Sequence, residues 1–170
     1  MTTEQKHDDK GTAWVVMGVS GCGKSSIGSA LAARLGVPFI EGDAYHSDAN
    51  VAKMSAGIPL TDDDRHGWLL SLRDKLAAHE GGAVLSCSSL KRAYRDLLRS
   101  GGGDVRFAHL AGERSLLEQR VSNRPGHYMP PSLLDSQLRT LEPLQPDEAG
   151  ITLDIRDTPD SLVAQILASA

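Results

Sequence analysis

Residues Gly18-Val19-Ser20-Gly21-Cys22-Gly23-Lys24-Ser25 fit the spacing G-x-x-x-x-G-K-[ST]. Glycines at those places let backbone N–H groups curl round an anion, because no side chain blocks the approach. A helix opening at the end of the run adds unpaired N–H donors and the positive end of its dipole. Lys24 is spaced to reach β- and γ-phosphates, and the Ser25 hydroxyl to ligate Mg²⁺. The chemistry this run offers is the holding of a nucleoside triphosphate, with Ser26 extending the cradle into the helix. Cys22 lies in the same loop, where a helix N-terminus would lower a thiol pKa. The reading preferred is that it is simply a small residue that the loop accommodates.

A phosphoryl group also needs an acceptor. Gly42-Asp43 follows a second apolar stretch and sets a carboxylate at the mouth of the fold. A hydroxyl attacking a γ-phosphoryl group needs orientation and a proton acceptor, and Asp43 suits both. The alternative is a turn aspartate that caps its own backbone. His46 is either a contact for a polar substrate or a surface residue. Lys91, Arg92 and Arg95 open the helix after the third strand. Arginine there could grip a carboxylate or phosphate in bidentate fashion, with Lys91 and Arg95 favoured over Arg92. The alternative is a solvated helix face. Arg65 is a cation in a first turn, where the dipole prefers anions, and such local conflicts cluster at functional sites. Arg120 and Arg124 share a helix face and lead into Pro125-Gly126-His127-Tyr128-Met129-Pro130-Pro131. That break is suited to a closing lid, with the arginines clamping the transferring group. No aspartate ends an apolar strand in the Walker-B manner; Ser86 to Ser89 stand there instead. Mg²⁺ then falls to Ser25, phosphate oxygens, water and Asp43.

These residues need a scaffold that brings loop ends together. Ala13–Met17, Val37–Glu41, Ala83–Cys87, Val105–Leu110 and Ile151–Ile155 read as strands. Helical spacing covers Ser26–Leu35, a short stretch around Val51–Ala56, and a run beginning at the Thr61 cap and ending before Gly81-Gly82. Further helices run from a Ser88 or Ser89 cap to about Ser100, from Glu113 to about Arg124, from Ser132 to Leu141, and from Pro159 to Ala168. Strands alternating with helices predict an α/β domain whose parallel sheet is covered on both faces. Ligands of such sheets bind beyond the carboxyl ends of the strands.

The chain has 170 residues, enough for one domain, read as residues 12–170 behind a disordered tail over 1–11. Aromatic residues are 4%, too few for stacking platforms that bind single-stranded nucleic acid. A formal net charge of −4 argues against a phosphate-backbone binder. Two cysteines give neither a metal set nor a disulfide framework. No apolar run reaches the roughly 18 residues of a membrane span, and the polar start lacks a signal-peptide core. A cytoplasmic protein is expected, with no nucleic-acid or membrane partner.

The chain resembles the gluconokinases, small P-loop sugar-acid kinases related to shikimate kinase and the nucleoside-monophosphate kinases. The likeness rests on Met17 to Ser25, Glu41-Gly42-Asp43-Ala44-Tyr45-His46, and Asn50 through Lys53-Met54. It continues through Gly57 to Arg65 with Trp68-Leu69, Cys87 to Lys91 with Tyr94 to Arg99, Gly126 to Met129, and Ser132 to Leu141. The resemblance implies a P-loop NTPase-type three-layer sandwich with a five-stranded parallel sheet in the order 2-3-1-4-5, and a lid over about 120–142. It implies ATP-dependent, Mg²⁺-dependent phosphorylation of the 6-hydroxyl of D-gluconate, by a homodimer. It gives Gly18 to Ser26 to ATP, and Asp43, His46, Arg65, Lys91, Arg95 and His127 to the sugar acid. Arg120 and Arg124 would meet the nucleotide. The alternatives are a kinase of the same fold acting on shikimate or a nucleoside monophosphate, and a non-catalytic ATP-binding module.

Overall fold

Ala13-Trp14-Val15-Val16-Met17 (β1) is apolar without interruption because it is covered on both sides. Trp14 and Val16 join one buried cluster, while Ala13, Val15 and Met17 join another. The computed structural model describes residues 11–122 and 131–170. After β1 come α1 (Lys24–Leu35), β2 (Phe39–Glu41), a 3₁₀ turn over Gly42–Tyr45, α2 (Asp48–Ser55) and α3 (Asp62–Ala78). Then follow β3 (Ala83–Ser86), α4 (Arg92–Arg99), β4 (Val105–Ala111), α5 (Arg114–Ser122), α6 (Pro131–Thr140), β5 (Gly150–Asp154) and α7 (Pro159–Ser169).

The five strands lie in the order β2-β3-β1-β4-β5, and every neighbouring pair is parallel. This is the order the resemblance implied. The first cluster packs Ile27 and Leu31 of α1, Leu117 of α5, Leu134 of α6 and Ile166 of α7 on one face of the sheet. The second packs Trp68, Leu69, Leu72 and Leu76 of α3 with Tyr94 and Leu98 of α4 on the other. Burying such side chains contributes roughly 1.5–3 kcal/mol each, which fixes the strand ends from which the loops project.

Several boundaries move from their expected places for local reasons. The helix after β3 starts at Arg92, because Ser89 takes a left-handed φ of 49° and its hydroxyl donates to Cys87 O at 3.2 Å instead of capping a helix. Ser47 accepts from Asn50 N and starts α2 earlier than the apolar pattern suggests. Thr61 caps α3 as expected, and Asp64 returns a bond to Thr61 N to complete a capping box. Gly11, assigned to the tail by its sequence, donates to Glu80 O at 2.9 Å. Residues 1–10 lie outside the described residues.

His109 on β4 is buried, and its Nδ1 has no hydrogen-bond partner among the described residues. Burial, then the charge of Arg95, lowers its pKa to about 4. The unfolded chain therefore binds this proton more tightly than the folded one. Stability should fall as pH drops from about 6.5 toward 4, and His109→Phe should flatten that part of the profile. Urea unfolding at a series of pH values checks this, and identical slopes for both proteins would contradict it.

Candidate active site

The N-terminus of α1 has no side-chain cap; its N-cap is Gly23. By contrast, hydroxyls cap α2, α3 and α7. An uncapped first turn leaves N–H donors open to an anion. Gly21, at φ 86°, shows why the loop is built of glycine: a Cβ there would lie 2.8 Å from Leu117 O. Helix α5 thus leans directly on the phosphate loop. Ser25 Oγ lies 3.4 Å from Ser86 Oγ at the end of β3. Cys22 is buried, and burial outweighs the nearby Lys24 charge, so its thiol pKa is raised. It behaves as the small packing residue of the simpler reading.

A cleft of about 330 Å³ opens beside this loop. Ser20 and Lys24 line it from the loop, Asp43 and His46 from the segment after β2, and Arg65 and Trp68 from α3. Val51, Met54, Ile58 and Pro59 form an apolar wall, and Leu133, Ser136, Gln137 and Thr140 of α6 close the far side.

Asp43 stands on the 3₁₀ turn with its side chain 59% exposed. The turn is pinned by Trp68, whose indole N–H donates to Gly42 O at 2.8 Å. Gly42 is required by a close approach, since a Cβ would fall 2.3 Å from Ser86 O. His46 stacks on Trp68 with centroids 3.9 Å apart, and its Nε2 is 3.7 Å from Asp43 Oδ1. Burial lowers the His46 pKa, with Asp43 opposing and Arg65 assisting.

Arg65 does not aim along its helix dipole. Its Nη1 donates to Leu60 O at 2.7 Å and Tyr94 Oη at 3.0 Å, which turns the guanidinium back toward the cleft. Tyr94 in turn donates to Asp62, and Lys91 Nζ lies 3.3 Å from the same carboxylate. The triple-aspartate run is thereby divided: Asp62 braces Tyr94, and Asp64 accepts from Thr61 N and pairs with Lys53 at 2.7 Å.

One expected substrate contact is corrected. Arg95 is fully buried, with Nε 2.7 Å and Nη2 2.9 Å from the Glu148 carboxylate. Its Nη1 serves Ser89 O and Glu142 O, so no donor is left to reach a ligand. It is a structural ion pair, and one that would cost about 3–5 kcal/mol to break. Lys91 stands outside the cleft lining, its ammonium engaged by Asp62. Arg92 likewise pairs with Asp147 at 2.7 Å. Arg120 donates to Ile155 O at 2.8 Å. Arg124 and His127 lie outside the described residues.

Sequence reasoning missed Gln137. Its Oε1 accepts from Ser20 N at 2.7 Å, so a neutral side chain occupies a phosphate-loop donor. A glutamine within the amphipathic stretch Ser132–Leu141 was the available signal. Asn50 was also missed as more than a mark of resemblance: it is a buried polar residue four positions after His46. Because Gln137 must leave Ser20 N before a phosphate oxygen can take it, Gln137→Ala should tighten ATP binding about fivefold, the worth of one net hydrogen bond. Calorimetric titration with ATP measures this, and weaker binding by the variant would show that Gln137 assists the bound state.

Comparison with known proteins agrees with this geometry. The shikimate kinase family profile matches residues 20–168. A gluconokinase of Gluconobacter oxydans (strain 621H) is 48% identical over 158 residues, spanning 90% of this chain and 88% of that protein. A solved sugar kinase from Janibacter sp. HTCC2649 has TM-score 0.88 at 49% identity, covering 92% of each chain. A gluconokinase structure from Sinorhizobium meliloti 1021 has TM-score 0.87 at 48% identity, covering 93% of this chain and 90% of that one.

Proposed function

We propose that this chain, which belongs to the gluconokinase branch of the shikimate kinase family, transfers the γ-phosphoryl group of ATP to the 6-hydroxyl of D-gluconate. One observation carries the reading: a single cleft is lined by Ser20 and Lys24 of the phosphate loop, by Asp43, and by Arg65. A kinase that acts on a small acid needs those four things in one place. They are phosphate donors, a cation for the phosphate charge, a group to orient the hydroxyl, and a cation for the substrate carboxylate.

Each residue then has a task that its surroundings permit. Lys24 offsets negative charge on the phosphates. Asp43, more than half exposed at the strand end, accepts a hydrogen bond from the 6-hydroxyl and takes its proton as the new bond forms. Arg65, held in place by Leu60 O and Tyr94, has guanidinium donors for the carboxylate at the other end of the substrate. Ser88, Ser136 and Thr140 offer hydroxyls to the polyol, and the Val51–Ile58 wall covers its carbon chain. Arg120 and, on the segment beyond α5, Arg124 and His127 complete the reading as lid residues that meet nucleotide and substrate.

The donor set suits Mg²⁺. Ser25 and Ser86 offer paired hydroxyl oxygens beside the loop, and hard cations take oxygen ligands. Ser25 would hold the ion, with Ser86 orienting Ser25. When bound, the ion supplies charge neutralisation for the phosphates. A homodimer belongs to the same reading and is supported by the family resemblance, and a cytoplasmic setting by the polar start of the sequence; no described helix is long and apolar enough to cross a membrane.

Two measurements test this. Coupled ADP release with gluconate, other aldonates, shikimate and nucleoside monophosphates should respond most strongly to gluconate. A stronger response to AMP, GMP or shikimate would move the chain to another acceptor. Asp43→Asn should keep the fold and lower kcat by about 10²-fold or more, the scale of general-base catalysis. Turnover within about threefold of the parent would remove Asp43 as base.

A further inference from the structure

We infer that Asn50 fixes the tautomer of His46, and that His46 thereby presents an Nε2–H to Asp43, making both of them positioning residues for the acceptor carboxylate. This rests on the reading of Asp43 given above.

The argument starts from an atom with one possible role. The Asp64 main-chain oxygen can only accept, and Asn50 Nδ2 lies 2.8 Å from it. That side-chain atom is therefore the amide NH₂, and the amide cannot be flipped. The same Nδ2 lies 3.3 Å from His46 Nδ1. An NH₂ group donates and does not accept, so Nδ1 must offer its lone pair. In a neutral imidazole the proton is then on Nε2.

The surroundings keep the ring neutral and in this orientation. The His46 side chain is 3% exposed and stacked on Trp68, which is itself pinned to Gly42 O. Burial disfavours the imidazolium more than the Asp43 charge favours it, and Arg65 adds to the disfavour. Among the described residues these are the charged groups that act on the ring; the Asp64 carboxylate is engaged by Lys53. Turning the ring over would set carbon against the Asn50 amide and forfeit a buried hydrogen bond.

The consequence falls on Asp43. Its Oδ1 is 3.7 Å from Nε2, longer than a hydrogen bond. Catalytic contacts of this kind tighten when substrate arrives. An N–H facing the carboxylate fixes which oxygen is turned inward, leaving the other for the hydroxyl. The opposite tautomer would set a lone pair against negative charge. Asn50 is thus two contacts removed from the reacting atoms and still selects the proton's place.

Long-range ¹H–¹⁵N spectra of the wild-type protein at neutral pH should show His46 protonated at Nε2 and unprotonated at Nδ1. The reverse pattern overturns the inference. His46→Gln sets an amide N–H near the Nε2 position and His46→Asn sets one near Nδ1. The kcat of the Gln variant should exceed that of the Asn variant by about tenfold, with KM for ATP unchanged, because misplacing the carboxylate affects the chemical step. Equal losses, or the Asn variant ahead, would overturn it. Asn50→Asp should raise the His46 pKa by about one unit or more, since a carboxylate accepts from Nδ1–H; an unmoved titration counts against the inference. If that variant does not fold, the wild-type spectrum and the His46 pair decide. Failure of gluconate to support ADP release would strike the proposed reaction and leave the tautomer result standing.

Discussion

The uncapped first turn of α1 is the constraint from which the rest of the site follows. Backbone N–H groups there and in the preceding loop need acceptors, and the chain provides no hydroxyl for them at Gly23. Their intended partner is an anion. One of them, Ser20 N, donates to the Gln137 amide oxygen at 2.7 Å. Gln137 belongs to α6, which also lines the acceptor cleft through Leu133, Ser136 and Thr140. A single helix therefore touches both halves of the site. Gln137 ties that helix to the phosphate loop through the Ser20 N–H.

The other wall is set by the start of α3. Thr61 and Asp64 satisfy the first turn, Asp62 braces Tyr94, and Arg65 lies between Leu60 O and Tyr94 Oη. A cation in the first turn looks unfavourable against the dipole. The three aspartates beside it offset that cost, and Leu60 O and Tyr94 Oη hold Arg65 at the cleft. The protein as a whole carries a formal charge of −4, yet Lys24 and Arg65 make this one cleft attractive to anions. Local arrangement, not net charge, decides what binds.

The sheet was legible because its signal is one-dimensional. Apolar runs broken by glycine or proline locate all five strands to within a few residues, and the loop spacing identifies the phosphate cradle. What the sequence could not separate was an arginine that lines the cleft from an arginine that holds the fold. Arg95 and Arg65 look equally poised on paper. Arg95 meets Glu148, a residue 53 positions away whose approach is set only by the packed chain. The start of α4 was misplaced for a similar reason: Ser89 resembles a cap, and only its backbone conformation shows otherwise. Gln137 was invisible because its partner is a main-chain N–H 117 residues distant.

Asp43 shows how an exposed carboxylate can be held without being buried. A carboxylate with a side chain 59% exposed is free to rotate in water, and a fixed orientation must come from its neighbours. Here the neighbours are ranked by burial. Asp43 faces solvent; His46 behind it is almost wholly covered; Trp68 and Asn50 behind that are buried, and each is bonded to a main-chain oxygen. Rigidity passes outward from backbone to ring to carboxylate. Placing the carboxylate itself in the interior would have stiffened it at the cost of desolvating its charge. Leaving it in the cleft, with the stacked His46 ring behind it, avoids that cost.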